Sequence, residues 1–169
     1  MRYKLKPMNR TMAERIIRWR YASSQQGFGH HFVTVDAQID FFINPINQYY
    51  VLKTETDDVV AICRIKADQP MHNELTNPLD VSDNILDIEI NVRPDLITKG
   101  QGHRYIHLLL QLMRQQFHAR HFRVTIAESN MQALRLYQQA GFQPVDTYQR
   151  ADDGQRFIIL MTKEQQLCV

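Results

Sequence analysis

The chain has 169 residues, 44% of them hydrophobic, enough to bury a real core and short enough that one domain over 1–169 is the default expectation. Its 20 Lys and Arg against 18 Asp and Glu leave a net charge of +2. That is too small for a general attraction to nucleic acid or an anionic membrane, so any anion recognition must be local.

The two cysteines, Cys63 in an apolar run and Cys168 near the end, have neither a metal-ligand spacing nor a disulfide framework. No apolar stretch nears the roughly 18 to 20 residues of a membrane span, and no apolar h-region follows Met1-Arg2-Tyr3-Lys4, so a cytoplasmic protein is expected. Arg2 to Met8 alternates weakly, as an edge strand does. Thr11 is placed to cap a helix running through Trp19, with Glu14 completing a capping-box spacing and Ala13, Ile16, Ile17 and the stem of Arg20 facing inward. Ser23 to Thr34 is polar, aromatic and glycine-containing, which reads as an irregular loop and a candidate lid before a short helix near Asp36 to Phe42. Tyr49 to Thr54 and Val59 to Lys66 are β-rich and flank Glu55-Thr56-Asp57-Asp58, an antiparallel hairpin pattern. Asp68 to Asp83, with Pro70 and Pro78, reads as a loop.

Ile85 to Val92 alternates as a central strand and ends in Arg93-Pro94. Through Lys99-Gly100-Gln101-Gly102 it enters a helix expected from Gln101 to Arg120, about four to five turns long. Ile106, Leu109, Leu110, Met113 and Phe117 fall on one face, and His107, Gln111, Arg114, Gln115 and His118 on the other. A helix start leaves backbone N–H groups unpaired with a partial positive charge, and glycines let a phosphate approach them. Phe122 to Ala127 follows as a strand. Asn130 then caps a helix from Met131 to Ala140 that Gly141 closes, with Ala133, Leu134, Tyr137 and Ala140 as its apolar stripe. Val145 to Arg150 and Arg156 to Thr162 flank Asp152-Asp153-Gly154 as a last hairpin. The chain has no internal repeat and no low-complexity tract.

Two blocks carry a family resemblance. Leu86-Asp87-Ile88 through Arg93-Pro94-Asp95-Leu96 to Lys99-Gly100-Gln101-Gly102 resembles the acetyl-coenzyme A motif of the GCN5-related N-acetyltransferases (GNAT). Ala127-Glu128-Ser129-Asn130, Ala133, Leu136-Tyr137 and Ala140-Gly141-Phe142 are similar to the asparagine, tyrosine and glycine-phenylalanine signature of the same superfamily. Ile97 departs from the pattern, standing where the family usually has arginine or glutamine. The glycine turn alone is weak evidence; a strand, glycine turn, long helix, strand and tyrosine-bearing helix in that order is specific. The resemblance implies an α/β (α+β) fold: a GNAT-like mixed, mostly antiparallel central sheet of six or seven strands with helices on both faces, its central strands splayed to admit acetyl-CoA (coenzyme A) as co-substrate.

The resemblance also assigns roles. The N–H groups of Lys99, Gly100, Gln101, Gly102, His103 and Arg104 are expected to hold the diphosphate, Lys99, His103 and Arg104 either adding charge or remaining solvated. The edge of Ile90, Asn91 and Val92 pairs with the pantetheine amides. Tyr137 is either the acid that protonates the departing thiolate or a packed aromatic. Glu89 is the first choice of base, with Asp87 two apart on the same strand face the other candidate; the alternatives are that both are half-exposed strand carboxylates with no catalytic task, or that a water chain serves alone. Asn130 is a cap that also reaches the cofactor or a cap alone. Acetyl transfer to a small-molecule or peptide amine by direct attack in a ternary complex is the leading function, a non-catalytic acyl-CoA sensor the alternative, and the missing third glycine disfavours a dinucleotide site. Trp19 to Phe32 and Tyr148 to Arg156 are the expected acceptor elements, Trp19, Tyr21, Phe28 and Phe32 forming either an aromatic pocket or ordinary packing. His30, His31, His72, His118 and His121 share no ligand spacing, so no metal is expected. Neither a nucleic-acid nor a membrane partner is expected, and a homodimer is left open.

Overall fold

A computed structural model describes residues 2–19, 34–66 and 85–163. The candidate lid up to residue 33, the loop Asp68 to Asp83, and Arg20, Tyr21, Phe28, Phe32, His30, His31, His72 and Cys168 lie outside them. Strand β1 (Tyr3–Pro7) pairs antiparallel with β2 (Tyr49–Thr54), Leu5 opposite Leu52. Between them come α1 (Arg10–Ile16), α2 (Val35–Ile43) and a single 3-10 turn at Pro45–Asn47. Asn9, not Thr11, caps α1: its side-chain oxygen accepts the Met12 amide at 2.9 Å, which leaves Thr11 inside the first turn. The helix also stops short of Trp19, because the Arg18 and Trp19 amides tighten onto the carbonyls of Arg15 and Ile16. Thr34 caps α2 by accepting the Ala37 amide.

The hairpin from β2 to β3 (Val59–Ile65) turns at Asp57, whose φ of 62° is left-handed. A register shift at Leu52/Lys53 divides the strand's faces, so Val59 and Ile62 pack to one side of the sheet while Ala61, Cys63 and Ile65 pack to the other. Strand β4 (Ile85–Val92) lies antiparallel to β3, with Arg64 opposite Glu89. Then comes α3 (Pro94–Thr98), a helix additional to the expected elements; Pro94 at its first position and Asp95 in its first turn are its sequence signals. The long helix α4 spans Gly102–Phe117, shorter than Gln101 to Arg120 because His118 takes a left-handed φ of 54° and closes it.

Strand β5 (His121–Ala127) is parallel to β4, α5 (Met131–Gln139) follows, and β6 (Phe142–Gln149) and β7 (Arg156–Thr162) form the last hairpin. β6 begins earlier than Val145, since a bulge at Pro144/Asp146 breaks its alternation. The sheet order is β1-β2-β3-β4-β5-β7-β6, with β4–β5 the parallel neighbours and the rest antiparallel. This is the expected mixed seven-stranded sheet with helices on both faces. On one face Met12, Ala13, Ile16, Ile39 and Phe42 cover Tyr49, Val51 and Ile62. On the other, Ile106, Leu109, Leu110 and Met113 of α4 and Leu134 and Tyr137 of α5 cover Leu52, Cys63, Ile88, Ile90 and Phe122. Each buried Leu, Ile, Val, Phe or Met among them contributes about 1.5–3 kcal/mol by leaving water.

Candidate active site

Strands β4 and β5 stay in register for only three pairs, Ile85–His121, Leu86–Phe122 and Asp87–Arg123. Beyond them the strands diverge, and a cavity of about 520 Å³ opens between Ile88–Val92 on one side and Val124–Ala127 on the other, with α5 residues Ala133, Leu136 and Tyr137 along its wall. The last registered pair is also an ion pair. Both carboxylate oxygens of Asp87 accept from the Arg123 guanidinium, at 14% and 7% side-chain exposure, just where the strands part.

Backbone direction alternates along β4. The carbonyl of Asp87 accepts from Lys66 and the amide of Arg93 donates to Val60, so odd-numbered peptide groups face β3. Ile90 therefore faces the opening, where its amide donates to the Tyr137 hydroxyl and that hydroxyl donates back to the Ile90 carbonyl, both at 3.2 Å. Of the expected pairing edge, Ile90 and Val92 turn their peptide groups toward the gap. Asn91 turns its own to β3, opposite Ile62, and contributes its side chain to the cavity wall. Tyr137 is 4% exposed and packs edge-on against Phe142 at 5.2 Å, so the packed-aromatic role and a hydroxyl at the gap coexist.

Side chains alternate too. Ile88 and Ile90 join the core under α4, while Glu89 projects from the opposite face beside Arg64 and Lys66. Glu89 lies 3.5 Å from the Lys66 ammonium. Burial pushes the Tyr49 phenol and the Cys63 thiol well up from their ordinary values, and the nearby Glu89 charge adds to both shifts. Arg64 lies over the rings of Phe41 and Tyr49, at 5.4 and 5.6 Å from their centroids. Glu89 lines the cavity and Asp87 does not.

At the glycine turn, Gly100 has a left-handed φ of 71°. The Lys99, Gly100 and Gln101 amides close back onto the carbonyls of Asp95, Ile97 and Leu96, and the Arg104 amide onto Gln101. Among the described residues the helix-start amides of Gly102 and His103 have no backbone acceptor in the turn, and Gln101 supplies no side-chain cap. Lys99 and Arg104 are exposed, Lys99 lying 3.8 Å from Asp95. A β-carbon at Gly102 would stand 2.8 Å from Leu136 Cδ1 and 3.4 Å from Ile97 Cγ1, so α4 starts pressed against α5. Ile97 itself lines the cavity. Asn130 caps α5, accepting the Ala133 amide at 3.2 Å, and its side of the loop borders the cavity. Arg150 and Gln155 of the expected acceptor element Tyr148 to Arg156 line the cavity, whereas Arg64 and Lys66 are lining residues outside every expected site. Arg64 sits in a strand whose apolar run draws attention to the core and Lys66 just past its end, and their position beside Glu89 depends on strand pairing.

A model of the acetyltransferase (GNAT) family matches residues 13–142. The chain belongs to the acetyltransferase (GNAT) family. Its class is that of acetyl-CoA-dependent N-acetyltransferases. No curated protein matches the sequence. Among solved structures, this GNAT chain is similar in fold to AAC(6')-Ib in complex with paromomycin and acetyl-CoA (TM-score 0.71, 13% identity, 95% of this chain and 93% of that one). It is also similar to a SpeG spermidine N-acetyltransferase chimera from Vibrio cholerae and hSSAT (TM-score 0.67, 13% identity, 96% and 95%). A third likeness is to a GNAT-family acetyltransferase from Bacillus anthracis (TM-score 0.68, 10% identity, 95% and 94%).

Proposed function

We propose that this chain transfers an acetyl group from acetyl-CoA to a primary amine by direct attack in a ternary complex, with Tyr137 as acid and Glu89 as base. The observation that carries the reading is the parting of β4 and β5, which puts the Tyr137 hydroxyl and the Glu89 carboxylate at one cavity from opposite faces of the sheet. The residues fit the co-substrate. Gly102 and His103 present helix-start amides for a diphosphate, Ala127 and Ala133 leave room along the wall, and the Ile90 peptide groups face the gap, where the Tyr137 hydroxyl that holds them must yield for an added strand to pair. Lys99 and Arg104 add only solvent-screened charge at this start, and Asn130 acts as the cap that sets the entry to α5.

When bound, acetyl-CoA supplies a thioester carbon open to attack by an amine. The amine must be neutral to attack, and a lysine-type ammonium has a pKa of about 10.4, so a proton acceptor is needed. Glu89 takes that proton, directly or through one water. The departing thiolate, of pKa about 8.5, receives a proton from the Tyr137 hydroxyl, which Ile90 holds at the gap. Asp87 is left out of the chemistry because its carboxylate is committed to Arg123.

The test follows thiol release over a panel of amines. Tyr137→Phe should lower kcat about 100-fold or more while acetyl-CoA binding stays within a few-fold, and Glu89→Gln should lower the alkaline-insensitive part of the rate similarly. Acetyl-CoA binding with no turnover on any amine, and no effect of Tyr137→Phe, would assign the non-catalytic sensor instead.

A further inference from the structure

Phe122 and Val124 of β5 are buried under α4, and Ile126 packs against the same core. The intervening Arg123 and Thr125 therefore point the other way, to the side of the sheet that carries Asp87 and Glu89. Continued past Asp87 and Arg123, the parallel register would set Glu89 against Thr125. Because the strands part there, the two stand instead on opposite walls of the opening, and both line it. On its own face Thr125 has apolar neighbours, Ile159 opposite it on β7 and Ala127 two residues along the strand. Arg123, two residues the other way, is turned to Asp87. Among the described residues no group hydrogen-bonds the half-buried Thr125 hydroxyl, which leaves it to the opening.

We propose that Thr125 is a further catalytic residue, accepting one N–H of the attacking amine while Glu89 takes the other, and that it makes the site selective for primary over secondary amines. This rests on the acetyltransferase reading of the same cavity and deepens it. A neutral primary amine has two N–H bonds and one lone pair, and the lone pair must point at the thioester carbon. Acceptor oxygens on the two walls fix both N–H bonds and leave the lone pair directed into the gap between them. As the C–N bond forms and the C–S bond breaks, the proton on the Glu89 side passes to that carboxylate and the thiolate takes the Tyr137 proton. Thr125 neither gains nor loses one. An N-methyl amine has a single N–H, which proton transfer claims for Glu89, so its methyl group meets the Thr125 oxygen and leaves that oxygen unpaired.

The experiment pairs the primary amine turned over fastest, among alkylamines, amino sugars and lysine peptides, with its own N-methyl derivative, and follows thiol release from acetyl-CoA. The unaltered chain should favour the primary amine by about tenfold or more in kcat/KM. Thr125→Val, similar in shape and suited to a strand, should lower kcat/KM for the primary amine about tenfold, leave the N-methyl amine within about twofold or raise it, and keep the acetyl-CoA Kd within about twofold. Thr125→Ser keeps the hydroxyl and should hold the preference within about threefold of the unaltered chain's. The preference is a ratio taken on one preparation, so a partly unfolded variant does not disturb it. A preference that survives Thr125→Val, or that Thr125→Ser loses as fully as Thr125→Val, overturns the proposal while the transferase reading stands. No thiol release with any amine overturns both.

Discussion

At Gly102 a missing side chain lets the start of α4 lie against Leu136 and Ile97, two residues of the cavity wall. In Gly102→Ala the helix gains up to about 1 kcal/mol of propensity. The new methyl also drives Leu136 Cδ1 from 2.8 Å into the cleft. These effects separate: the unfolding midpoint should hold within a few degrees while calorimetry shows acetyl-CoA affinity falling several-fold. The Asp87 and Glu89 pair makes the complementary point. Sequence spacing puts both on one strand face, yet only Glu89 reaches the cavity, because Asp87 is claimed by Arg123, a partner 36 residues away that no local pattern marks.

Helix α3 is held at its start by Arg93, which donates to Asp95 at 2.7 Å and to both oxygens of Asp58 in the β2–β3 turn at 2.8 Å. The fork ties the entry to the glycine turn to the far hairpin, and the Arg93 hydrogen bond holds the Asp95 carboxyl below its usual range. A carboxyl depressed in the folded state contributes stability above its unfolded value of about 3.9 and loses it as pH falls through the lower folded value. Asp95→Asn should therefore cost a fraction of a kcal/mol up to about 1 kcal/mol at pH 7, since the pair is partly exposed, and progressively less as the solution is acidified below the unfolded value. Urea midpoints of the two proteins across an acid-to-neutral pH series check this. Elements with strong periodicity, such as α4 and β4, were legible in the sequence. The Asn9 cap, the α3 turn and the bulges in β3 and β6 were obscured because each is a single local feature, one hydrogen bond, one proline or one extra residue, rather than a repeated pattern. The splay came from family likeness, because it follows from where β4 and β5 stop pairing, and periodicity carries no information on that.

Both cores are built on one sheet, so damage to one face should be felt at the other. Leu109, a fully buried residue of α4, and Trp19, packed against the α1–α2 cluster, lie on opposite faces, and Trp19 is the chain's single tryptophan. Leu109→Ala should cost about 2–5 kcal/mol and lower the Trp19 fluorescence midpoint as much as the circular-dichroism midpoint, in one transition. Two transitions would show the faces to be independent. The strand order carries a mechanical corollary. The sheet is two slabs, β1 to β4 and β5-β7-β6, riveted at three residue pairs and one buried clasp. A molecule wedged in the gap grips both slabs and acts as a brace. At acetyl-CoA a hundredfold above its Kd, folding should gain about 2.7 kcal/mol, with slower deuterium uptake in β2 and β6 alike, beyond the strands that line the gap.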